Sequence, residues 1–155
     1  MENKVVYSRS GRFDFLEHMS DIYVRAYGSS ILELYENAGL ALFDSMVNID
    51  HVKPEVVKHV EVEGFDLESL LYKWLEELLI LYYTERLMCS SINVVEFRVE
   101  ESGGEAVHRL KARVECETFN PARHEARVEV KSPTYSLMRI LKHEHGWEAY
   151  FVLDI

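Results

Sequence analysis

The alternation of apolar and polar side chains along the chain predicts a series of short β-strands. In the clearest case Ile22, Val24 and Ala26 alternate with Tyr23 and Arg25, as in a strand that turns one face to a core. Comparable patterns predict strands over residues 13–16, 22–27, 56–63, 92–100, 107–117, 126–130, 137–143 and 147–153. Glycine-containing turns at 103–104 and 145–146 separate successive strands, which is typical of antiparallel pairing.

Two segments instead carry apolar residues at helical intervals. The first has an apolar stripe formed by Ile31, Leu34, Ala38, Leu42 and Met46. Ser30 and Glu33 fit a capping box at its start. The second helix follows Asp66 as N-cap and is apolar nearly all round, which is typical of a helix covered on more than one side. Two principal helices against a mainly antiparallel sheet predict an α+β fold.

The length and the charge of the chain indicate how many domains it has and which partners it can bind. The 155 residues, of which 48% are hydrophobic, suffice for one domain with a sizeable core. The formal net charge of −10 argues against tight RNA binding by this chain alone, because gripping a phosphate backbone needs a Lys/Arg surface. An acidic chain can bind cations or a basic partner protein. The alternative explanation is that the charge keeps the protein soluble, and solubility by itself accounts for most of it.

The cysteines and the apolar segments indicate the cellular compartment in which the protein is expected to lie. Cys89 and Cys116 belong to no CxxC pair and are expected to be reduced thiols of a cytosolic protein. No apolar signal-peptide segment follows the first residues. The most apolar stretch, residues 67–87, is interrupted by Lys73, Glu76 and Glu77, so we expect a buried helix and no membrane span.

The last residues place two carboxylates next to each other. Asp154 contributes its side chain and Ile155 its α-carboxylate, and both are ionised at neutral pH. Asp21, at the entry of the strand 22–27, is a third carboxylate that the fold could bring in, completing an all-oxygen site for Ca²⁺ or Mg²⁺. The alternatives are a turn aspartate that caps nearby N–H groups and a solvated chain end.

The same positions belong to an ordered set of segments that carry a family resemblance. The set consists of His18-Met19-Ser20-Asp21, Arg25-Ala26-Tyr27-Gly28, the helices at 38–46 and 66–79, the loop Phe119-Asn120-Pro121-Ala122-Arg123-His124-Glu125, the pairs Val130-Lys131 and Thr134-Tyr135, and the ending Leu153-Asp154-Ile155. In this order they resemble the archease family. The resemblance begins near Phe13, which gives a domain over 13–155 and a flexible N-terminal segment over 1–12.

The resemblance implies a function as well as the α+β fold. Proteins of the family are cytosolic activators of the tRNA-splicing RNA ligase that joins 2′,3′-cyclic-phosphate and 5′-hydroxyl ends. The ligase carries the chemistry, and the activator promotes its guanylylation and multiple turnover. The family's metal ligands fall on Asp21, Asp154 and the α-carboxylate of Ile155. The donors are all oxygen atoms, which leaves Ca²⁺ and Mg²⁺ both open.

Three neighbouring residues are candidates for supporting the metal ligands or contacting a partner. His18 lies close to Asp21 in sequence, while Lys131 and Tyr135 fall in a segment that the family also has. A structural histidine and a surface lysine are equally good interpretations. Ser136 stands where the family commonly has histidine, so no role of that histidine is carried over.

Two other classes of function remain. A metal-dependent hydrolase would need a general base, for which only His18 is a candidate. A chaperone-like binding module would use exposed apolar surface. The sequence has no Gly-x-Ser-x-Gly elbow and no glycine loop that cradles phosphate, which favours a helper protein over an enzyme.

Overall fold

The computed structural model describes residues 3–155. Its elements are β1 (Val5–Arg9), β2 (Phe13–Leu16), β3 (Ile22–Gly28), α1 (Ile31–Met46), β4 (Val56–Gly64), α2 (Leu67–Glu85), β5 (Leu87–Ser102), β6 (Glu105–Thr118), α3 (Pro121–His124), β7 (Ser132–Pro133), β8 (Arg139–His143) and β9 (Gly146–Asp154), with a short 3₁₀ helix at Ile49–His51. None of the described helices is long and apolar enough to cross a membrane.

β9 is the centre of a six-stranded sheet. One edge of β9 pairs with the whole length of β3, from Gly28 opposite Trp147 to Ile22 opposite Leu153. Its other edge is shared by β8 and the two residues of β7. β2 and then β1 extend the sheet beyond β3, and every one of these pairings is antiparallel.

A second sheet of three strands has the order β4-β6-β5 and is also antiparallel. α1 lies between the two sheets, in contact with β3 and β5, and α2 packs against α1 and β4. The α+β class with two principal helices is confirmed.

The helix starts follow from local capping. The Ser30 hydroxyl accepts a hydrogen bond from the backbone N–H of Glu33 at 3.1 Å, as expected. The Glu33 carboxylate, however, accepts from the N–H of Ser29 and not of Ser30, so the predicted capping box is half formed. Asp66 caps α2 in a complete capping box with Ser69.

The large sheet has an inner and an outer face. Val24, Ala26 and Phe151 alternate inward into the main core, on the side of α1. Tyr23 and Val152 lie on the other side, which is the outer face, and form with Leu16 a separate small apolar cluster. Residues directly opposite each other on neighbouring strands share a face, so the strand register determines which side chains meet there.

The N-terminal segment is more structured than the sequence predicts. Residues 1 and 2 of the expected flexible stretch 1–12 lie outside the described residues, but Val5–Arg9 forms β1 at the edge of the sheet. The Arg9 guanidinium donates to the buried carboxylate of Asp44 at 2.9 Å and also contacts Asp50. The expectation of flexibility is therefore wrong for β1, because a long-range ion pair holds it.

Two further expectations are wrong. Residues 126–130 form no strand, because the Arg127 N–H donates to the carbonyl of Met46 at the end of α1 and its side chain reaches Asp44. Cys89 and Cys116 are not free thiols: they lie opposite each other on β5 and β6 and form a disulfide. Sequence spacing does not reveal that register.

Candidate metal site at one end of the large sheet

The register of β3 and β9 brings Asp21 and Asp154 to the same end of the large sheet. Ile22 pairs with Leu153 as the last pair of the ladder, and Asp21 and Asp154 are the next residues beyond it. Asp21 lies in the bend before β3, whereas Asp154 is the last residue of β9 and pairs with Ser132 of β7. Two of the three predicted ligands therefore lie at one end of the sheet.

The carboxylates of Asp21 and Asp154 are both half-buried, and no basic side chain in the described part of the chain pairs with either of them. Neither Asp21 nor Asp154 takes part in any of the ion pairs or side-chain hydrogen bonds formed between described residues. Carboxylate oxygens are the ligands that hard divalent cations prefer. The donor set therefore fits Ca²⁺ or Mg²⁺.

The two buried aspartates differ in being neutralised. Asp44 is fully buried and accepts hydrogen bonds from Arg9. Asp14 is also buried and is bonded to Arg25 at 2.8 Å. These two carboxylates hold strands and helices together, whereas Asp21 and Asp154 have no such partner among the described residues.

The remaining donors must be of another kind. The described residues contain no group of three or more His, Cys, Asp or Glu side chains able to hold a metal ion. Ile155 directly follows Asp154, and its half-buried side chain packs against the main core. Ser132 lies directly opposite Asp154 on the other side, on β7. Its hydroxyl is a further oxygen donor beside the pair.

Ser132 was missed by the sequence analysis for a physical reason. β7 has two residues, one of which is Pro133, so it shows no alternation that would reveal a strand. The neighbouring Lys131 was predicted, and its backbone N–H donates to the carbonyl of Asp154 at 2.7 Å. The Lys131 side chain is exposed and joins no ion pair between described residues.

His18 and Tyr135 are placed differently. The exposed His18 ring meets the ring of Tyr23 edge-on, with centroids 5.6 Å apart, so it lies beside the outer face near Asp21. Tyr135 stacks on Tyr72 of α2, with centroids 4.5 Å apart and planes 8° apart. The contact with α2 fixes the Tyr135 ring, and its half-exposed surface stays a predicted partner contact.

Comparison with known proteins identifies the family. The sequence matches the "Archease protein family" over residues 13–155. The chain belongs to the archease family. Protein archease of Thermococcus kodakarensis is 44% identical over 145 residues, which cover 93% of this chain and 99% of that protein. Protein archease of Sulfurisphaera tokodaii is 37% identical over 144 residues, with the same shares.

Solved structures confirm the archease fold. The solution structure of Methanobacterium thermoautotrophicum protein 1598 is similar with a TM-score of 0.71 and 31% identity, covering 92% of this chain and 98% of that one. A Thermotoga maritima protein described as an "archease, possible chaperone" shares the fold with a TM-score of 0.56 at 17% identity, over 90% of this chain and 94% of that one. The predicted family and fold class are both confirmed.

Proposed function

We propose that this protein activates a tRNA-splicing RNA ligase, promoting ligase guanylylation and multiple turnover without itself being an enzyme. The observation that carries the proposal is the family match over residues 13–155. The end of the β3–β9 ladder at Ile22 and Leu153, the residues next to Asp21 and Asp154, supports it. The partner ligase joins 2′,3′-cyclic-phosphate and 5′-hydroxyl ends and works in the cytoplasm, where we also place this protein.

A divalent cation is part of the proposal. Asp21, Asp154 and, where Ile155 ends the chain, its α-carboxylate would hold Ca²⁺ or Mg²⁺. When bound, the cation supplies positive charge that can stabilise charge developing during nucleotidyl transfer. We assign partner contacts to three described side chains: His18 beside the outer face, Lys131, whose backbone is bonded to Asp154, and the half-exposed Tyr135.

The charge balance supports a protein partner of this kind. The chain has a net charge of −10, whereas the surface of an RNA ligase must be basic enough to hold RNA. Opposite charges guide two proteins together and raise their association rate.

The test is a ligation time course with the cognate ligase limiting. Adding this protein should convert slow or single-turnover ligation into multiple turnover and raise the amount of ligase–GMP adduct. Heat-denatured protein is the control for nonspecific stabilisation of the ligase. If both adduct and turnover stay unchanged at excess protein, the proposal is wrong.

A chaperone-like module is the second candidate, favoured by the "possible chaperone" description of the Thermotoga maritima protein. Large apolar side chains are exposed at Met19, Phe65 and Val95, which a binding module could use. Such a module would suppress aggregation of unrelated clients whatever the cation. A hydrolase, in contrast, would turn over phosphoester substrates with no ligase present.

A further inference from the structure

We propose that the open edge of strand β4 binds an extended, basic segment of a partner protein, which adds a fourth strand to the small sheet. β4 is an outer strand of that sheet, whose order is β4-β6-β5, and it pairs with β6 alone. Its nine residues keep one unbroken antiparallel register, from Val56 opposite Cys116 to Gly64 opposite His108. An edge of this kind offers a row of backbone donors and acceptors to a further strand.

The hydrogen-bond pattern identifies the residues that point to the open edge. The Phe119 N–H donates to the Arg86 carbonyl at 2.7 Å, one pair beyond the start of the β5–β6 ladder. Because antiparallel pairs alternate between bonded and non-bonded ones, Cys116, three positions away, directs its backbone groups to β4. Its carbonyl indeed accepts from the Glu55 N–H at 3.1 Å. The even-numbered residues of β4 therefore bond to β6, and the odd-numbered ones form the β4 edge: Val57, His59, Glu61 and Glu63.

Every other outer strand among the described residues is protected against strand addition. β1 has five residues and a break in its register, and β5 has two such breaks. On β5 the N–H of Val94 also donates to the Glu36 carboxylate at 2.8 Å. β8 has five residues, and β7 has two, one of which is Pro133. β4 has no bulge and no proline, and its one inward charge, Lys58, is held by Glu85 of α2 at 2.5 Å.

The side chains at the β4 edge favour a basic occupant. Val57 is 41% exposed, and His59, Glu61 and Glu63 are exposed as well. Glu63 is paired with Arg109 of β6, whereas Glu61 joins none of the ion pairs between described residues. Residues of an added strand would stand directly opposite these side chains and on the same face. Lys or Arg opposite the two glutamates, with an apolar residue opposite Val57, gives the complementary pattern.

A second copy of this chain fits the edge less well than a segment without a helix. α2 packs chiefly on β4 within the small sheet, on the inner side. A second β4 would lie about 5 Å from the first and bring its own α2 to the same side, although packed helices need about 8–10 Å between their axes. It would also add a second set of glutamates to an acidic edge. The occupant is therefore an extended basic segment.

The β4 edge shares no residue with the proposed cation site, so the test uses the full chain without ligase or cation. The probe is a labelled nine-residue peptide of alternating arginine and valine, followed by fluorescence anisotropy at physiological salt. Opposite the β4 edge, the arginines face Glu61 and Glu63 and their N–H groups bond to the edge. N-methylation of the arginines should therefore abolish binding, whereas N-methylation of the valines should leave it unchanged. Both methylated peptides keep the full charge.

Variants of the chain test the charge pattern. Glu61→Lys should weaken peptide binding about fivefold, because an attractive cross-strand pair becomes a repulsive one. Glu144→Lys is the matched control, since it makes the same charge change at an exposed turn of the large sheet and should bind like the unmodified chain. Thermal melting checks that both variants are folded.

Amide hydrogen exchange locates the peptide on the chain. The amides of Val57, His59, Glu61 and Glu63 should exchange fast in the free chain and slowly with the peptide bound. No peptide binding, equal binding of the two methylated peptides, or equal effects of the two Lys variants overturns the proposal. A dimer of the chain that protects these four amides without peptide would assign the edge to a second copy and overturn the basic segment as occupant.

Discussion

At the scale of single residues, the carboxylates of this chain are distinguished by what neutralises them. Asp44 and Asp14 are buried and bound to arginines, while Asp21 and Asp154 are half-buried without a basic partner among the described residues. The sequence analysis could single out Asp21 and Asp154, since family motifs and strand ends are local features. It could not foresee the pairing of Arg9 with Asp44, because that contact joins residues 35 positions apart.

Removing one carboxylate of the sheet-end pair should separate function from stability. Asp21→Asn and Asp154→Asn should each reduce ligase stimulation to near the basal rate and weaken cation affinity by more than about tenfold, a loss already typical of mutations outside the ligand shell. Without cation, the free energy of unfolding should hold or rise by up to about 1 kcal/mol, because a like-charge repulsion is gone.

Calcium and magnesium titration, chemical denaturation and the ligation assay measure these three quantities. Glu144→Gln is the control, since Glu144 is a highly exposed carboxylate in the β8–β9 turn, far along the sheet from the pair. A variant of Asp21 or Asp154 that binds cation and stimulates the ligase like the control would remove that residue from the site.

At the scale of elements, one carboxylate links the first three strands. Asp14 on β2 accepts hydrogen bonds from Ser8 on β1 and from Arg25 and Tyr27 on β3. Burial by itself raises the pKa of Asp14, but the hydrogen bonds from Ser8, Tyr27 and Arg25 outweigh burial and hold the pKa below its usual value. The side-chain hydrogen bonds that link β1, β2 and β3 therefore depend on an ionised Asp14.

This arrangement predicts a pH-dependent loss of stability. A carboxyl group whose pKa is lower in the folded state stabilises the fold above its unfolded pKa, and that contribution is lost as the pH falls from about 4 through the folded pKa. Asp14→Asn should destabilise the protein by about 1–3 kcal/mol at neutral pH. The difference from the unmodified chain should shrink in acid. Urea unfolding at neutral and acid pH measures it, and a pH-independent difference would contradict the assignment.

Local sequence patterns predict some of the strands and helices and not others. Alternation located β2, β3 and the core of β9, and the Asp66 cap located the start of α2, because these features are set by neighbouring residues. β7 escaped notice because its pairing is supplied by β9 and not by its own pattern. Residues 126–130 show strand-like residues, yet their contacts to the end of α1 prevail over the local preference.

At the scale of the whole molecule, the net charge is negative, and many basic side chains are paired with carboxylates of the same chain. On the small sheet Arg98 is bonded to Glu100, Arg109 to Glu63 and Glu100, and Lys111 lies within reach of a glutamate. These pairs leave no continuous Lys/Arg stripe there. The −10 charge is thus not offset by a local surface suited to a nucleic acid backbone.

We therefore predict no tight RNA binding by this chain alone. A gel shift with a labelled tRNA half should show no complex at sub-micromolar protein and moderate salt, since each phosphate contact requires a cationic group. The cognate ligase serves as the positive control. A discrete complex formed by this protein at that concentration would contradict the prediction.

The central place of β9 has a consequence for the order of events during synthesis. Ile22 pairs with Leu153, so almost the whole chain must be made before the middle of the large sheet can close. Until then the hairpins formed by β1, β2 and β3 emerge from the ribosome with an open strand edge, which is prone to wrong pairing. Asp154 lies on β9, so a nascent chain does not bring Asp21 and Asp154 to the same end of the sheet until its final strand is in place.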